Sequence, residues 1–289
     1  MQFCNDCPRK CGVTRENGDL GICNMPKSLR IARAGLHFGE EPCISGKNGS
    51  GTIFFSGCSL KCVFCQNFNI SHEGYGKEIT VERLAEIFKE LENQGAHNIN
   101  FVSPTQYISA IKEALEIYRP KIPLVYNSSG YENLKTIEED IFDVYLFDLK
   151  FFSPEKSVKY AKCPDYFDVA SSAIKKAYEI KGKPIVNREG LMEKGIIVRH
   201  LILPQSTNDA INIIEWLENN TPEIHFSLMS QYLPMYKAFE FKELTRRITK
   251  REYDKVLDSC ICKSFEEIYV QELESATDEY IPKFDLTGV

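Results

Sequence analysis

From GTIFFSG onward, short apolar runs alternate with longer stretches in which apolar residues recur every three or four positions. Short runs of that kind are strands and the longer periodic ones amphipathic helices, and their alternation is the signature of βα units on a mainly parallel sheet. The runs predict strands at 52–56, 99–103, 124–128, 144–150, 196–203 and 224–229. Between them, VERLAEIFKELENQG places Val81, Leu84, Ile87, Phe88 and Leu91 on one helical face, with Gly95 suited to the C-cap. QYISAIKEALEIY, DVASSAIKKAYEI and NDAINIIEWLENN read the same way. Six parallel strands with crossover helices predict an α/β fold, either a partial (β/α)6 TIM-like barrel or an open doubly wound sheet.

The flanks break the pattern. Residues 1–50 are rich in Gly, Cys, Arg and Asn without a sustained period and read as an irregular, metal-stapled arm. Within the barrel, KGKPIVNREGLMEKG is the longest polar interruption and reads as a surface connection before the fifth strand. After residue 235 come a charged helix, KELTRRITKREYDKVLDSC, and the strand-like EEIYVQEL. A charge run is usually a solvated face. The expected division is a cysteine-rich arm at 1–50, a barrel core at 51–235 and a C-terminal extension at 236–289 that packs on the barrel.

Composition narrows the function. A chain of 289 residues can bury one large core, and no run of about 18 apolar residues is present to span a membrane. The net charge of −6 and the lack of a Lys/Arg block argue against nucleic acid or an acidic membrane surface as partner. The start, MQFCNDCPRK, has no apolar segment behind a basic one, so a cytoplasmic location is expected. Eleven cysteines are many for a reducing compartment, where clustered thiols are better explained by metals than by cross-links. Two groups stand out: Cys4, Cys7, Cys11 and Cys23, then Cys58, Cys62 and Cys65, while Cys43, Cys163, Cys260 and Cys262 are scattered.

The second group lies in GCSLKCVFCQNF with C-x3-C-x2-C spacing, just after the first barrel strand. Three thiolates can hold three corners of a four-iron cluster and leave the fourth iron open to a small chelating ligand. The bland alternative is a zinc knuckle that borrows a fourth ligand, although zinc sites usually open on a C-x2-4-C pair. In a βα barrel the reactive groups come from the C-terminal strand ends. Those ends carry Ser103, Thr105, Asn127, Ser129, Asp148, Lys150, Arg199, Gln231 and Tyr232. Singly, such residues more often make turns or face solvent. Lys150 in FDLKFF and Arg199 in VRHLILP differ, because each is a cation among apolar neighbours and needs an anionic partner.

CSLKCVFC, with Phe64 before its last cysteine, resembles the C-x3-C-x2-C loop of the radical S-adenosylmethionine (SAM) superfamily. The resemblance implies a 4Fe-4S cluster on Cys58, Cys62 and Cys65 that binds SAM, cleaves it reductively and releases a 5′-deoxyadenosyl radical for hydrogen abstraction. NSSGY, FDLKF and VRHLILP further resemble the branch that contains the pyruvate formate-lyase activating enzyme. That likeness implies a flavodoxin or ferredoxin as electron donor, and as substrate either a glycine of a partner protein or a small molecule or peptide. Carried over by position, Asp148 orients the SAM carboxylate, and Lys150 and Arg199 bind SAM. The chain departs from that branch where Asn127 replaces Asp and where VSPTQY replaces a Gly-Gly-Glu motif; hydroxyls of Ser103 or Thr105 and backbone carbonyls can still accept from an ammonium.

The arm, CNDCPRKCGVTRENGDLGIC, supplies four thiols for a closed centre, either structural zinc or a second iron-sulfur cluster. Its C-x2-C-P-R-x-C spacing and the EEPCISG approach resemble uncharacterised relatives of the activating enzymes. The competing reading of the whole chain is an iron-sulfur or zinc module that transfers electrons or binds a partner without SAM chemistry.

Overall fold

A computed structural model describes residues 3–273 and 282–289; residues 274–281 of the expected C-terminal extension lie outside the described residues. In chain order the strands are β1 (Arg30–His37), β2 (Ser50–Phe55), β3 (Lys77–Glu78), β4 (Ile99–Val102) and β5 (Leu124–Ser128). They continue with β6 (Val144–Asp148), β7 (Ile185–Val186), β8 (Met192–Leu201), β9 (His225–Met229) and β10 (Glu267–Val270). The helices are α1 (Pro42–Ser45), α2 (Phe68–Ser71), α3 (Val81–Asn93), α4 (Ile108–Ile117) and α5 (Leu134–Glu138). After them come α6 (Pro154–Ala161), α7 (Tyr166–Lys181), α8 (Thr207–Asn220) and α9 (Lys250–Ile261).

The strands form one sheet in the order β10-β9-β8-β6-β5-β4-β2-β1-β3, with β7 paired to β8. From β2 to β10 every neighbour along this path is parallel, and the path does not close on itself. This is a mixed α/β fold with an open, mostly parallel sheet, a partial barrel of the TIM type. All six expected barrel strands are present, and β10 adds a seventh at the edge.

Strand alternation assigns the two faces. Tyr126, Tyr145, Phe147 and Val198 join the large core with helix residues such as Leu84, Phe88, Ile174 and Ile213. The intervening Val125, Val144, Leu146 and Ile197 turn the other way and pack on Cys43 and Ile44. The short α1 therefore plugs the inner face of the bowl. Asn98 holds it there, its side-chain Nδ2 donating to the Ile44 carbonyl at 2.8 Å.

Two expectations need correction. Residues 30–37 are not irregular: RIARAGLH forms β1, antiparallel to both β2 and β3. KGKPIVNREGLMEKG is not a bare connection either, since β7 pairs back on the start of β8 across the turn at Asn187–Gly190. The charged helix begins only at Lys250, where Thr249 and Glu252 form a capping box.

Candidate active site

The inner face of the strands carries polar residues in the next layer above the plug. Alternation puts Asn127 with Val125, Asp148 and Lys150 with Leu146, and Arg199 with Ile197. Strand pairing sets Asp148 beside Arg199, and Arg199 beside Ser227. Arg199 is saturated in three directions: Nε donates to Asp148 Oδ1 at 2.7 Å, one terminal nitrogen to Glu40 Oε2 at 2.8 Å, and the other to Asn127 Oδ1 at 2.8 Å. Lys150 Nζ donates to the remaining Asp148 oxygen at 2.6 Å.

Electrostatics follow from these contacts. Burial alone would raise the Asp148 carboxyl, but the Arg199 and Lys150 charges outweigh it and hold the group at about 2. Burial works against the Arg199 and Lys150 cations, and their carboxylate neighbours reverse that effect and raise both. Asn127 is explained by the same network. Its Nδ2 donates to Glu40 Oε1 at 3.1 Å while its oxygen accepts from Arg199, so a carboxylate here would face another carboxylate.

The cysteine loop closes over this floor and is pinned to its surroundings by backbone bonds. Lys61 and Val63 donate to the carbonyls of Ala161 and Tyr160 at 3.3 and 2.8 Å, and Gly57 donates to Ile70 at 2.8 Å. Gln106 reaches in from the end of β4 and donates to the carbonyls of Ser56 and Gly57 at 2.9 and 3.2 Å. Gly57 adopts φ +86°, and a Cβ there would sit 2.3 Å from Met25 Cγ and 2.8 Å from the Cys23 carbonyl. Phe64 meets the edges of Phe151 and Tyr232 at 6.1 and 6.0 Å, which anchors the loop in the core.

Cys58, Cys62 and Cys65 line a cavity of about 700 Å³ together with Ser103, Thr105, Asn127, Ser129, Asp148, Lys150, Arg199 and Gln231. That size suits a small ligand. Tyr232 stands elsewhere: it is buried, and its hydroxyl donates to the Leu244 carbonyl at 2.8 Å. Burial raises all three loop thiols, while Lys150 lowers each of them and Lys61 lowers Cys58 and Cys65. Among the described residues no three Cys, His, Asp or Glu side chains converge to hold a single metal ion. A lone zinc needs every sulfur at about 2.3 Å from one point. A four-iron cluster uses one thiolate per iron, and three soft donors that line a cavity and are flanked by cations fit such an anionic cluster.

The arm thiols lie apart from this cavity. Gly21 lets Cys11 and Cys23 approach each other, since a Cβ at that position would lie 3.0 Å from one sulfur and 3.5 Å from the other. Arginines fasten the arm. Arg9 donates to the carbonyls of Ser59, Lys162 and Ala161 at 2.8, 2.8 and 3.3 Å. Buried Arg15 donates to the carbonyls of Met25, Pro26 and Gln106 and to Asp6.

Pattern and spacing missed Glu40 and Glu41, which lie between β1 and α1 inside the stretch read as irregular arm. For Glu40 the signal was the demand of Arg199 for an anion, which names no partner 159 residues away.

The family profile described as the radical SAM superfamily matches residues 52–217. The uncharacterized protein MJ0674 of Methanocaldococcus jannaschii is 32% identical over 269 residues, 88% of this chain and 73% of that protein. The crystal structure of Streptococcus suis SuiB bound to S-adenosylmethionine superposes with a TM-score of 0.53 at 13% identity. The match covers 76% of this chain and 49% of SuiB, so the chain spans about half the length of that protein and the likeness is one of fold.

Proposed function

The chain belongs to the radical SAM superfamily, and from that premise we propose that it abstracts hydrogen from a substrate held in the cavity beneath the cysteine loop. One observation carries the reading: the three loop thiols and the polar strand ends line the same cavity. Cys58, Cys62 and Cys65 would hold a 4Fe-4S cluster. The chemistry supplied there is reductive cleavage of SAM to methionine and a hydrogen-abstracting 5′-deoxyadenosyl radical.

The chain's own groups prepare that event. Lys150 spends one of its three N–H donors on Asp148 and keeps the others for the SAM carboxylate. Arg199, with each guanidinium nitrogen engaged, acts by fixing Asp148, which in turn aims Lys150. Ser103 adopts φ +59° at the end of β4 and offers its hydroxyl at the cavity wall, where an ammonium finds an acceptor. Phe64 and Ile70 supply apolar wall that keeps water from a reactive radical. The electron would come from a protein donor such as flavodoxin or ferredoxin. A glycine-bearing partner loop and a small molecule are both admissible hydrogen donors.

The test is anaerobic. The protein is reconstituted with iron and sulfide, reduced and given SAM, and 5′-deoxyadenosine is measured. Formation of that product, abolished by Cys58→Ala, is the expected result. A reducible cluster whose electron paramagnetic resonance spectrum SAM leaves unchanged, with no product, would overturn the reading.

A further inference from the structure

Buried polar atoms are nearly always hydrogen-bonded, so each one left alone calls for an explanation. Among the described residues five buried side-chain atoms have no partner: Arg30 Nε, Glu41 Oε2, Asn100 Oδ1, Tyr107 OH and Gln271 Oε1. Two of the five belong to residues lining the cavity, Glu41 and Gln271, and both orphan atoms are acceptors. Glu41 is only 8% exposed.

The surroundings satisfy Glu41 only in part: the Ser227 side chain favours its ionised form, yet Oε2 keeps no partner. Arg199 is the nearby cation, yet its close ion pairs are with Asp148 and Glu40. Lys150 is paired with Asp148. Of the three carboxyls at the cavity floor, Glu40 and Asp148 are ion-paired and Glu41 is not. Burial pushes the Glu41 carboxyl up, so a cation is what its ionised form lacks. At the sheet edge beside this floor, β10 pairs Tyr269 with Ser227. Gln271, two residues further along the same face, presents the second unmatched acceptor.

We propose that Glu41, assisted by Gln271, binds a cationic nitrogen of the substrate, a protonated amine or guanidinium, and so restricts the enzyme to basic substrates. This rests on the reading of the cavity as the reaction site and deepens it. A ligand with N–H donors and a positive charge supplies donors to both orphan acceptors and the counter-charge that an ionised Glu41 lacks. An anionic group placed against these two atoms would meet acceptors rather than donors.

SAM also carries an ammonium, so the experiment separates the two sources. Calorimetric titration of the cluster-loaded protein uses n-butylammonium, n-butanol and butyrate as probes, and SAM is titrated separately. The amine should bind, with the alcohol and the acid at least about tenfold weaker. Glu41→Gln should lose about tenfold for the amine, bind SAM within about twofold of wild type, and melt no lower than wild type, because a buried carboxyl without an ion pair has been replaced by a neutral amide of the same shape. Gln271→Leu should weaken the amine about two- to fivefold. Equal binding of the three probes, no amine binding by wild type, unchanged amine binding by Glu41→Gln, or a fall in its melting temperature would each overturn the proposal. So would loss of SAM binding in Glu41→Gln, which would assign the carboxylate to the SAM ammonium. Failure of wild type to bind SAM would instead count against the radical reading, with the amine selectivity still read on its own.

Discussion

The loop thiols and the arm thiols are the same chemical group in two different settings. Cys58, Cys62 and Cys65 open onto a cavity whose far wall is an ordered array of carboxylates, amides and cations. Cys4, Cys7, Cys11 and Cys23 sit in a segment held by arginine-to-carbonyl bonds, outside that cavity. Thiol density alone does not separate the two places; space for a second ligand beside the thiols does.

The contrast is tested most severely by cysteine replacement. Alanine at position 58, 62 or 65 should abolish 5′-deoxyadenosine formation, while Cys4→Ala and Cys11→Ala should keep it within about tenfold of wild type. Abolition by an arm variant would erase the distinction. Next in size, Arg199→Ala leaves the Asp148 and Glu40 carboxylates without their shared cation and should cost about 3–5 kcal/mol in urea unfolding. Lys150→Ala should weaken SAM binding by about 1.5–3 kcal/mol, read by equilibrium dialysis, because it removes a charge-assisted donor at the cavity wall.

On the arm side the effects should be smaller. Arg9→Ala removes three bonds to partly exposed carbonyls and a guanidinium stacked 5.3 Å from the Tyr131 ring centroid. The expected cost is about 1–2 kcal/mol, seen as faster proteolysis of the arm with the barrel still folded. Outside the arm, Glu132 has a carboxyl that burial pushes up to about 7 despite donors from Thr105, Ser128 and Tyr126. A raised folded value means that the proton is held more tightly in the native state. The resulting stability is complete below 4.5 and is lost as pH rises through 7. Glu132→Gln should therefore melt above wild type at about pH 8 and level with it under acid conditions.

Much of the barrel was legible because its local and global patterns agree. Helix α3 shows this: Leu84, Ile87, Phe88 and Leu91 are buried on one face, and Thr80 accepts from the Arg83 amide as an N-cap. β1 was hidden because RIARAGLH alternates weakly and carries Arg, Gly and His; its identity comes from two partner strands rather than from its own residues. In the site, Lys150 and Arg199 could be found as cations in apolar strands. Strand ends also nominated Tyr232, but position says nothing of rotamer, and that ring turned into the core. Glu40 and Glu41 required knowing that the chain crosses the bowl before β2, a tertiary fact that no window of sequence contains.

The turn at Gly57 bears on how such a protein can be re-engineered. With Met25 and the Cys23 carbonyl seated where a side chain would otherwise be, the arm and the cysteine loop are cut to one another's shape. A chimera that exchanged the arm at a boundary near residue 50 would import a foreign residue into the space above Gly57. The workable crossover unit is accordingly the arm, β1 and the loop together, transferred as a single cassette ending after Ser71.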